Sequence, residues 1–169
     1  ILPILNRLLE KKEISREYWA LVDGHINSKE LVFKDKIGRD RHDRRKRIVD
    51  TKNGQSAETH VSRLKRFPNK TSLVRCKLKT GRTHQIRVHF SYIGYGLIGD
   101  QVYMNRVRIP AGASELLIET LRGFKRQALH AAKLGLKHPR TGEEMLFEAP
   151  WPEDFTQLVE VLRSENEAY

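Results

Sequence analysis

The sequence predicts an α+β fold, in which many short strands combine with a few helices in one domain over residues 1–169. Residues alternate between apolar and polar over 56–67 and over 71–80, a pattern typical of paired strands. After Gly81, apolar residues recur instead at helical spacing. With 169 residues and 38% apolar side chains, the chain is long enough to build one ordinary core.

The first part of the chain favours a helix followed by strands. Leucines at helical spacing before a basic end predict a short amphipathic helix over 3–12. Apolar and aromatic stretches predict strands over 17–26 and 30–37. The stretch 38–48 is dense in Arg and Lys, so it is either a solvated loop or a phosphate-contacting arm that orders on binding.

The middle of the chain predicts a hairpin and a helix. The alternating stretches 56–67 and 71–80, separated by Pro-Asn-Lys, indicate two antiparallel strands. Thr83 is the predicted N-cap of the following helix, which ends near Gly94. The buried face of this helix is predicted to consist of Ile86, Phe90 and Ile93.

The last third predicts a helix, a hairpin and a second helix. A helix is predicted to begin at Ser114, although an insertion over 101–125 is an alternative. The turn sequence Pro-Arg-Thr-Gly joins two apolar stretches, 128–138 and 143–150, which predicts a closing hairpin. Pro152 and the acidic residues after it are typical of a helix start.

The charge balance indicates a polyanionic partner. Lys and Arg number 32 against 21 Asp and Glu, which gives a net charge of +11. Such an excess favours a polyphosphate, because neutralised phosphates release counterions, and a charge that serves only solubility is the alternative. The single cysteine, Cys76, fits a reducing cytoplasm and excludes a cysteine-based metal site. We predict neither a signal peptide nor a membrane span.

The stretch Gly-Arg-Thr-His-Gln-Ile-Arg-Val-His-Phe concentrates polar and basic side chains at a predicted helix start. Arg82 and His84 lie where free backbone N–H groups already favour an anion. Arg87, beside the apolar stripe, can reach into a cleft and hold a carboxylate or phosphate with two hydrogen bonds. An amphipathic helix with a solvated basic face is the alternative.

The remaining candidate groups carry weaker signals. The histidines at 84, 89, 130 and 138 match no metal-ligand spacing, so we predict no metal. No glycine-rich phosphate loop is present in the sequence. Tyr18 begins an apolar strand, where it is either a core or rim residue or a ring that stacks on a base.

Several ordered motifs resemble those of the RluA-type RNA pseudouridine synthases. They are GRTHQIRVHF, then GYGLIGDQVY, then ALHAAKLGLKHPRTGEEMLFEAPWPEDF, with SREYWALVDG and the basic stretch before them. The resemblance covers nearly all of residues 10–156. It implies a mixed, mostly antiparallel sheet with flanking helices, and conversion of uridine to pseudouridine in structured RNA without a cofactor or metal.

The resemblance also implies roles for particular residues. Tyr18 matches the aromatic residue that stacks on the target base, and Arg87 matches the basic residue that pairs with the catalytic Asp. Leu129 resembles an apolar residue of the uracil pocket. The expected RNA-binding residues are Arg39, Arg41, Arg44, Arg45, Lys46, Arg82, His84 and Gln85. A buried Arg would lower the pKa of the catalytic Asp and fix its rotamer.

The chain departs from the family pattern in one respect. No segment resembles the His-Arg-Leu-Asp motif that carries the catalytic Asp, and Asp100 matches a turn residue that looks structural. We therefore expect the C-terminal part of a synthase domain that is inactive alone. We expect a monomer in the cytoplasm that acts on RNA, ribosomal rather than transfer RNA. A noncatalytic RNA-binding protein with the same basic cleft is the alternative.

Overall fold

A computed structural model of the protein describes residues 2–11 and 13–165. The helices and strands, in chain order, are α1 (Leu2–Glu10), β1 (Ser15–Asp23), β2 (Glu30–Phe33), β3 (Ile37–Arg39), β4 (Arg47–Val49), β5 (Thr59–Phe67), β6 (Thr71–Leu78), α2 (Gln85–Tyr92), α3 (Glu115–Gly123), β7 (Leu129–Lys137), β8 (Glu144–Glu148) and α4 (Glu153–Ser164). The α+β prediction is therefore confirmed.

Six strands form one sheet in the order β2-β5-β6-β1-β7-β8. Every strand pair in this sheet is antiparallel, as the resemblance implied. The predicted hairpins are both confirmed, as β5–β6 and β7–β8. Strand β1 lies near the centre of the sheet because it pairs with β6 on one side and with β7 on the other.

One face of this sheet is covered by α3 and α4. Leu21 of β1 and Leu73 of β6 pack there against Leu117 of α3 and against Phe155 and Leu158 of α4. These side chains are almost completely buried. The apolar contact explains why two short helices remain attached to the sheet, since packing of an apolar face supplies most of a helix's stability.

Helix α2 packs on the opposite face of the sheet. Ala20 and Val22 of β1, together with Val74 of β6, contact Ile86 and Phe90 of the helix. This face also carries Tyr18, because side chains two residues apart on a strand share a face. Cys76 is fully buried in the same cluster, and burial raises the pKa of its thiol.

A second, two-stranded sheet made of β3 and β4 covers the outer side of α2. Ile37 and Val49 of this small sheet pack against Val88 of α2 and against Tyr103. The strand predicted over 30–37 is therefore wrong in length. Strand β2 ends at Phe33, and the chain then leaves the sheet edge because Ile37 is buried on α2 and not against β5.

The predicted start of α2 is also corrected. The helix begins at Gln85, and His84 occupies the N-cap position with a left-handed φ of 56°, so Thr83 is not the cap. The side-chain oxygen of Gln85 accepts the backbone N–H of Arg82 instead, which closes the turn before the helix. Ile93, predicted on the buried face, follows the helix end and is exposed.

The remaining helix predictions are confirmed. The hydroxyl of Ser114 accepts the N–H of Leu117 and caps α3. Helix α4 follows Pro152 directly and carries two acidic residues in its first turn. The described residues contain no helix long and apolar enough to cross a membrane.

Candidate functional site

A buried ion pair holds Arg87 in place on α2. Its Nε donates to Oδ2 of Asp100 at 2.7 Å, and its Nη2 donates to Oδ1 at 2.9 Å. Both residues are buried, and the Asp100 side chain is fully inaccessible. Such a two-point contact fixes both the position and the plane of the guanidinium. Among the described residues, its third nitrogen, Nη1, makes no hydrogen bond.

Asp100 is ionised despite its burial. Burial by itself raises the pKa of this carboxyl. Hydrogen bonds from Arg87 and from the N–H groups of Val102 and Tyr103 lower the pKa by more than burial raises it. The net result is a pKa below the usual value for Asp. Asp100 therefore does two jobs: it closes the turn that follows α2 and it anchors Arg87.

Tyr103 connects this pair to strand β4 of the two-stranded sheet. Its ring lies against the Arg87 guanidinium, with 4.9 Å between the guanidinium carbon and the ring centre. Its hydroxyl accepts the backbone N–H of Arg47 at 2.8 Å and lies 2.9 Å from Nδ1 of His84. Burial, followed by the charges of Arg87 and Arg47, lowers the pKa of His84, which is therefore neutral at pH 7.

Gln85 has a structural task in the turn before α2. Its side-chain oxygen accepts from the Thr80 hydroxyl and from the N–H of Arg82. Its amide nitrogen donates to the Glu58 carbonyl and the Thr59 hydroxyl. The residue is 3% exposed. Because its amide is buried and already bonded, Gln85 is not available for the RNA contact expected from the sequence.

Tyr18 and Leu129 lie on the same face of the large sheet. Tyr18 is opposite Ala131 in the ladder between β1 and β7, and Leu129 is two residues from Ala131 on β7. Both side chains are half-buried and pack on the apolar cluster beneath α2. The two residues that the resemblance pairs as stacking ring and uracil-pocket wall are thus diagonal neighbours across two strands.

An open groove of about 320 Å³ runs beside Tyr18 on this face. Arg16 and Tyr18 of β1, Leu134 of β7 and Phe147 of β8 line it, together with the ion pair of Lys133 and Glu148. The exposed fraction is 39% for Leu134 and 51% for Phe147, so the groove has apolar walls that face solvent. A groove with an aromatic ring, apolar walls and a cation is suited to a nucleotide.

The basic stretch forms a defined hairpin whose turn is closed by its own acidic side chains. Oδ1 of Asp40 accepts the N–H groups of His42 and Asp43, at 2.7 and 3.1 Å. Asp43 pairs with the guanidinium of Arg45, and these hydrogen bonds lower the pKa of Asp43 to about 2. Arg45 is thus already neutralised by a neighbour, unlike the other cations of the turn.

The other expected RNA-binding residues lie around this hairpin. The exposed residues are Arg39, Arg41 and Arg44, and Lys46 is half-buried. Arg82 is half-buried in the turn before α2, where its Nε donates to the Ser56 carbonyl at 2.8 Å. Together with Lys46 and Arg82, these exposed cations give the protein a basic surface beside α2.

The described residues contain no group of three or more His, Cys, Asp or Glu side chains that could hold a metal ion. His89 is an example of a histidine with a packing role. Its ring is fully buried, stacks on Phe33, and lies within hydrogen-bonding distance of the Thr59 hydroxyl and the Asp35 carbonyl. The ring nitrogens of His89 are therefore already used inside the fold.

Comparison with known proteins settles the family. A family model described as RNA pseudouridylate synthase matches residues 1–92, more than half of the chain. The ribosomal large subunit pseudouridine synthase D of Pseudomonas aeruginosa is 49% identical over 162 residues. The chain belongs to the RNA pseudouridylate synthase family. The resemblance predicted from the sequence is confirmed.

Other members of the RNA pseudouridylate synthase family match at similar levels. The synthase D of Escherichia coli K12 is 45% identical over 99% of this chain and 51% of its own length. A Bacillus subtilis protein named uncharacterized RNA pseudouridine synthase YlyB is 46% identical over 95% of this chain and 48% of its own length. The Pseudomonas protein is covered to 49%. The chain spans about half the length of the curated relatives it matches.

Two solved human structures share the fold. RNA Pseudouridylate Synthase Domain Containing 1 is 25% identical with a TM-score of 0.68, over 94% of this chain and 69% of that one. RNA Pseudouridylate Synthase Domain Containing 4 is 23% identical with a TM-score of 0.73, over 95% and 67% respectively. These matches extend the family's fold across almost the whole sequence.

Sequence reasoning missed two features of the site. It assigned Asp100 to a turn but did not pair it with Arg87, and it gave no role to Tyr103. The spacing of 13 residues between Arg87 and Asp100 carries no periodic signal, since the chain reverses at Gly94 and Gly96 before the carboxylate returns to the helix. Only the tertiary contact reveals the pair.

Proposed function

We propose that this chain provides the base-binding and arginine-bearing part of an enzyme that converts uridine to pseudouridine in RNA of the large ribosomal subunit. The observation that carries the proposal is that Tyr18 and Leu129 pack on one sheet face beneath the helix of Arg87, and that Tyr18 also lines an open groove. The names of the relatives, which are pseudouridine synthases of the ribosomal large subunit, support the choice of RNA.

Tyr18 would stack on the target uracil, and Leu129 would contact its edge. The reaction breaks the bond from the ribose to N1 of uracil and forms a bond to C5, so the base must turn within its pocket. A uridine has to leave its own stack to reach such a site, and an aromatic ring offsets part of that loss. The half-buried Tyr18 ring lies at the edge of the groove, where a flipped base can reach it.

Arg87 would orient the catalytic Asp of the family, whose His-Arg-Leu-Asp motif no segment of this sequence resembles. Asp100 already holds two nitrogens of the guanidinium, and Nη1 is left for a second carboxylate. A carboxylate that accepts this hydrogen bond is stabilised in its ionised form, which is the form that acts as nucleophile or base. In this proposal Asp100 is a positioning residue for Arg87.

The basic hairpin would bind the RNA backbone. Within residues 2–11 and 13–165, the cations of Arg39, Arg41, Arg44 and Lys46 have no bonded carboxylate, and Arg82 adds a further positive charge. Phosphate contacts of this kind orient structured RNA without reading its sequence. The neutral His84 would act as a hydrogen-bonding group and not as a cation. We further propose that the protein works as a monomer in the cytoplasm, without metal or cofactor.

Substitution of Arg87 by Ala in the full-length protein tests the catalytic assignment. Large-subunit ribosomal RNA transcribed with uridine tritiated at C5 reports turnover, because formation of the new bond releases the label. We expect Arg87→Ala to abolish tritium release while the RNA dissociation constant changes by less than about fivefold, or about 1 kcal/mol. Equal loss of turnover and affinity would contradict the role of Arg87.

Tyr18 offers the matched comparison for the base-stacking role. Tyr18→Phe retains the ring and should retain most RNA binding, whereas Tyr18→Leu should weaken binding of the target RNA by about 1–3 kcal/mol.

Absence of tritium release by the unaltered full-length protein, combined with tight RNA binding, would instead favour the noncatalytic RNA-binding alternative.

A further inference from the structure

Arg16 is a cation in the Tyr18 groove with no assigned role. It precedes Tyr18 by two residues on β1, so the two side chains share one face of the strand, and both line the groove. A separation of two strand residues is about 7 Å along the chain. That distance is comparable to the span of one nucleotide from its base to its phosphate.

The guanidinium of Arg16 lacks a partner within the described residues. Its Nε is buried from solvent without a hydrogen bond, and no carboxylate pairs with it in residues 2–11 or 13–165. The adjacent Glu17 points to the other face, where it lies near Arg75 and Lys133. A buried donor without an acceptor costs free energy in the folded protein, so this nitrogen can gain a hydrogen bond if an acceptor reaches it.

Gly81 provides the space in which this guanidinium lies. A Cβ at Gly81 would overlap Nη1 of Arg16. The absence of a side chain at Gly81 therefore allows the guanidinium to rest against the backbone at the start of the turn before α2. The site is consequently built from two segments, strand β1 and the turn after β6. The contact with Gly81 restricts the position of the Arg16 guanidinium.

We propose that Arg16 binds a phosphate of the RNA strand that delivers its base to Tyr18. The proposal rests on the proposed function, because it takes Tyr18 as the base platform. Three observations favour an RNA phosphate: the unpartnered guanidinium, the neighbouring aromatic ring in an open groove, and the net charge of +11. A carboxylate from another protein segment could satisfy the same donor, and the experiment separates that source.

Phosphate-ethylation interference identifies the contact. Large-subunit ribosomal RNA fragments are ethylated at random phosphates, bound by the full-length protein, and the bound and free fractions are compared. Ethylation at a contacted phosphate prevents binding by the unaltered protein. We expect one such phosphate, next to the uridine that is converted, to lose its interference signal with Arg16→Gln, while the other positions are unchanged. Affinity should fall about tenfold.

Gly81→Ala is an independent route to the same result. A methyl group there would overlap Nη1, the far end of the Arg16 side chain, and should displace the guanidinium without disturbing the backbone. This variant should therefore lose the same phosphate contact as Arg16→Gln. Gly123→Ala is the matched control, because a Cβ at Gly123 meets nothing within 4 Å. Arg122→Gln controls for loss of one exposed positive charge. Both controls should keep the full interference pattern.

The outcomes distinguish this proposal from the proposed function. An unchanged ethylation pattern in Arg16→Gln overturns the phosphate contact, even if the unaltered protein converts uridine. If Arg16→Gln keeps the pattern but loses turnover or stability, the partner is a protein carboxylate and the proposal is also overturned. If the pattern changes but the unaltered protein releases no tritium, the phosphate contact stands and the enzymatic function fails.

Discussion

The two faces of the six-stranded sheet are covered in different ways. On one face, α3 and α4 pack apolar side chains such as Leu117 and Leu158 against the strands. On the other, α2 packs partly through apolar residues and partly through the buried Arg87–Asp100 pair, and the Tyr18 groove beside it is open. The first face is a conventional core, whereas the second combines packing with exposed polar and aromatic groups.

The face covered by α3 and α4 mainly stabilises the fold, whereas the Tyr18 face carries the groups proposed for function. An apolar contact keeps a helix on a sheet without reference to any ligand, and its contribution follows the buried area. A buried ion pair stabilises less efficiently than apolar packing, because two charges must be desolvated. Its presence on the Tyr18 face is therefore better explained by the need to hold Arg87 at a fixed position than by stability.

The largest effect expected on the Tyr18 face comes from Asp100→Ala. This change leaves the buried Arg87 guanidinium without its partner and removes the acceptor for two backbone N–H groups. We expect the free energy of unfolding to fall by about 3–5 kcal/mol, measured by urea denaturation at pH 7. A loss below about 1 kcal/mol would mean that the pair is not buried as described.

The pH dependence of stability gives a second measure of the same pair. The pKa of Asp100 is lower in the folded protein than its usual value, so its stabilising effect is present above about pH 4 and disappears as the pH falls through the folded pKa. The stability difference between the unaltered protein and Asp100→Asn should therefore be constant near neutral pH and shrink in acid. A difference that grows in acid would contradict the assignment.

A matched pair of truncations compares the two faces directly. Leu158→Ala removes a fully buried side chain from the face covered by α3 and α4 and should cost about 2–5 kcal/mol of unfolding free energy. Phe147→Ala removes a half-exposed side chain from the wall of the open groove and should cost less than about 1 kcal/mol. Similar losses in urea denaturation would remove the distinction between the faces.

The smallest expected effect lies in the basic hairpin. Arg44→Gln removes one exposed cation, and the logarithm of RNA affinity should then depend on the logarithm of salt concentration with a slope shallower by about 0.7–0.9. Arg122→Gln, on α3 and away from the basic hairpin, should leave the slope unchanged. An unchanged slope in Arg44→Gln would contradict a contact between the basic hairpin and RNA phosphates.

Local pattern was sufficient for much of the fold. Alternation over 56–67 and 71–80 predicted the hairpin that forms between β5 and β6, and of the two alternatives for 101–125 the helix that begins after Ser114 is the one found. These features depend on residues close in sequence, where period and capping chemistry act directly. The ordered combination of motifs, of which the stretch around Arg87 is one, likewise identified the family.

Long-range contacts decided the rest. The end of β2 at Phe33 depends on a small sheet that packs on α2, and the α2 start depends on Gln85 bonding back to Thr80 and Arg82. No local pattern contains that information, because the partners come from other elements. Sequence motifs thus determined the family and most helices and strands. The tertiary structure decided that Asp100 anchors Arg87 and that Arg16 lies beside Tyr18 with no partner among the described residues. The reason is physical: motifs specify residue types, but only packing brings distant side chains within bonding distance.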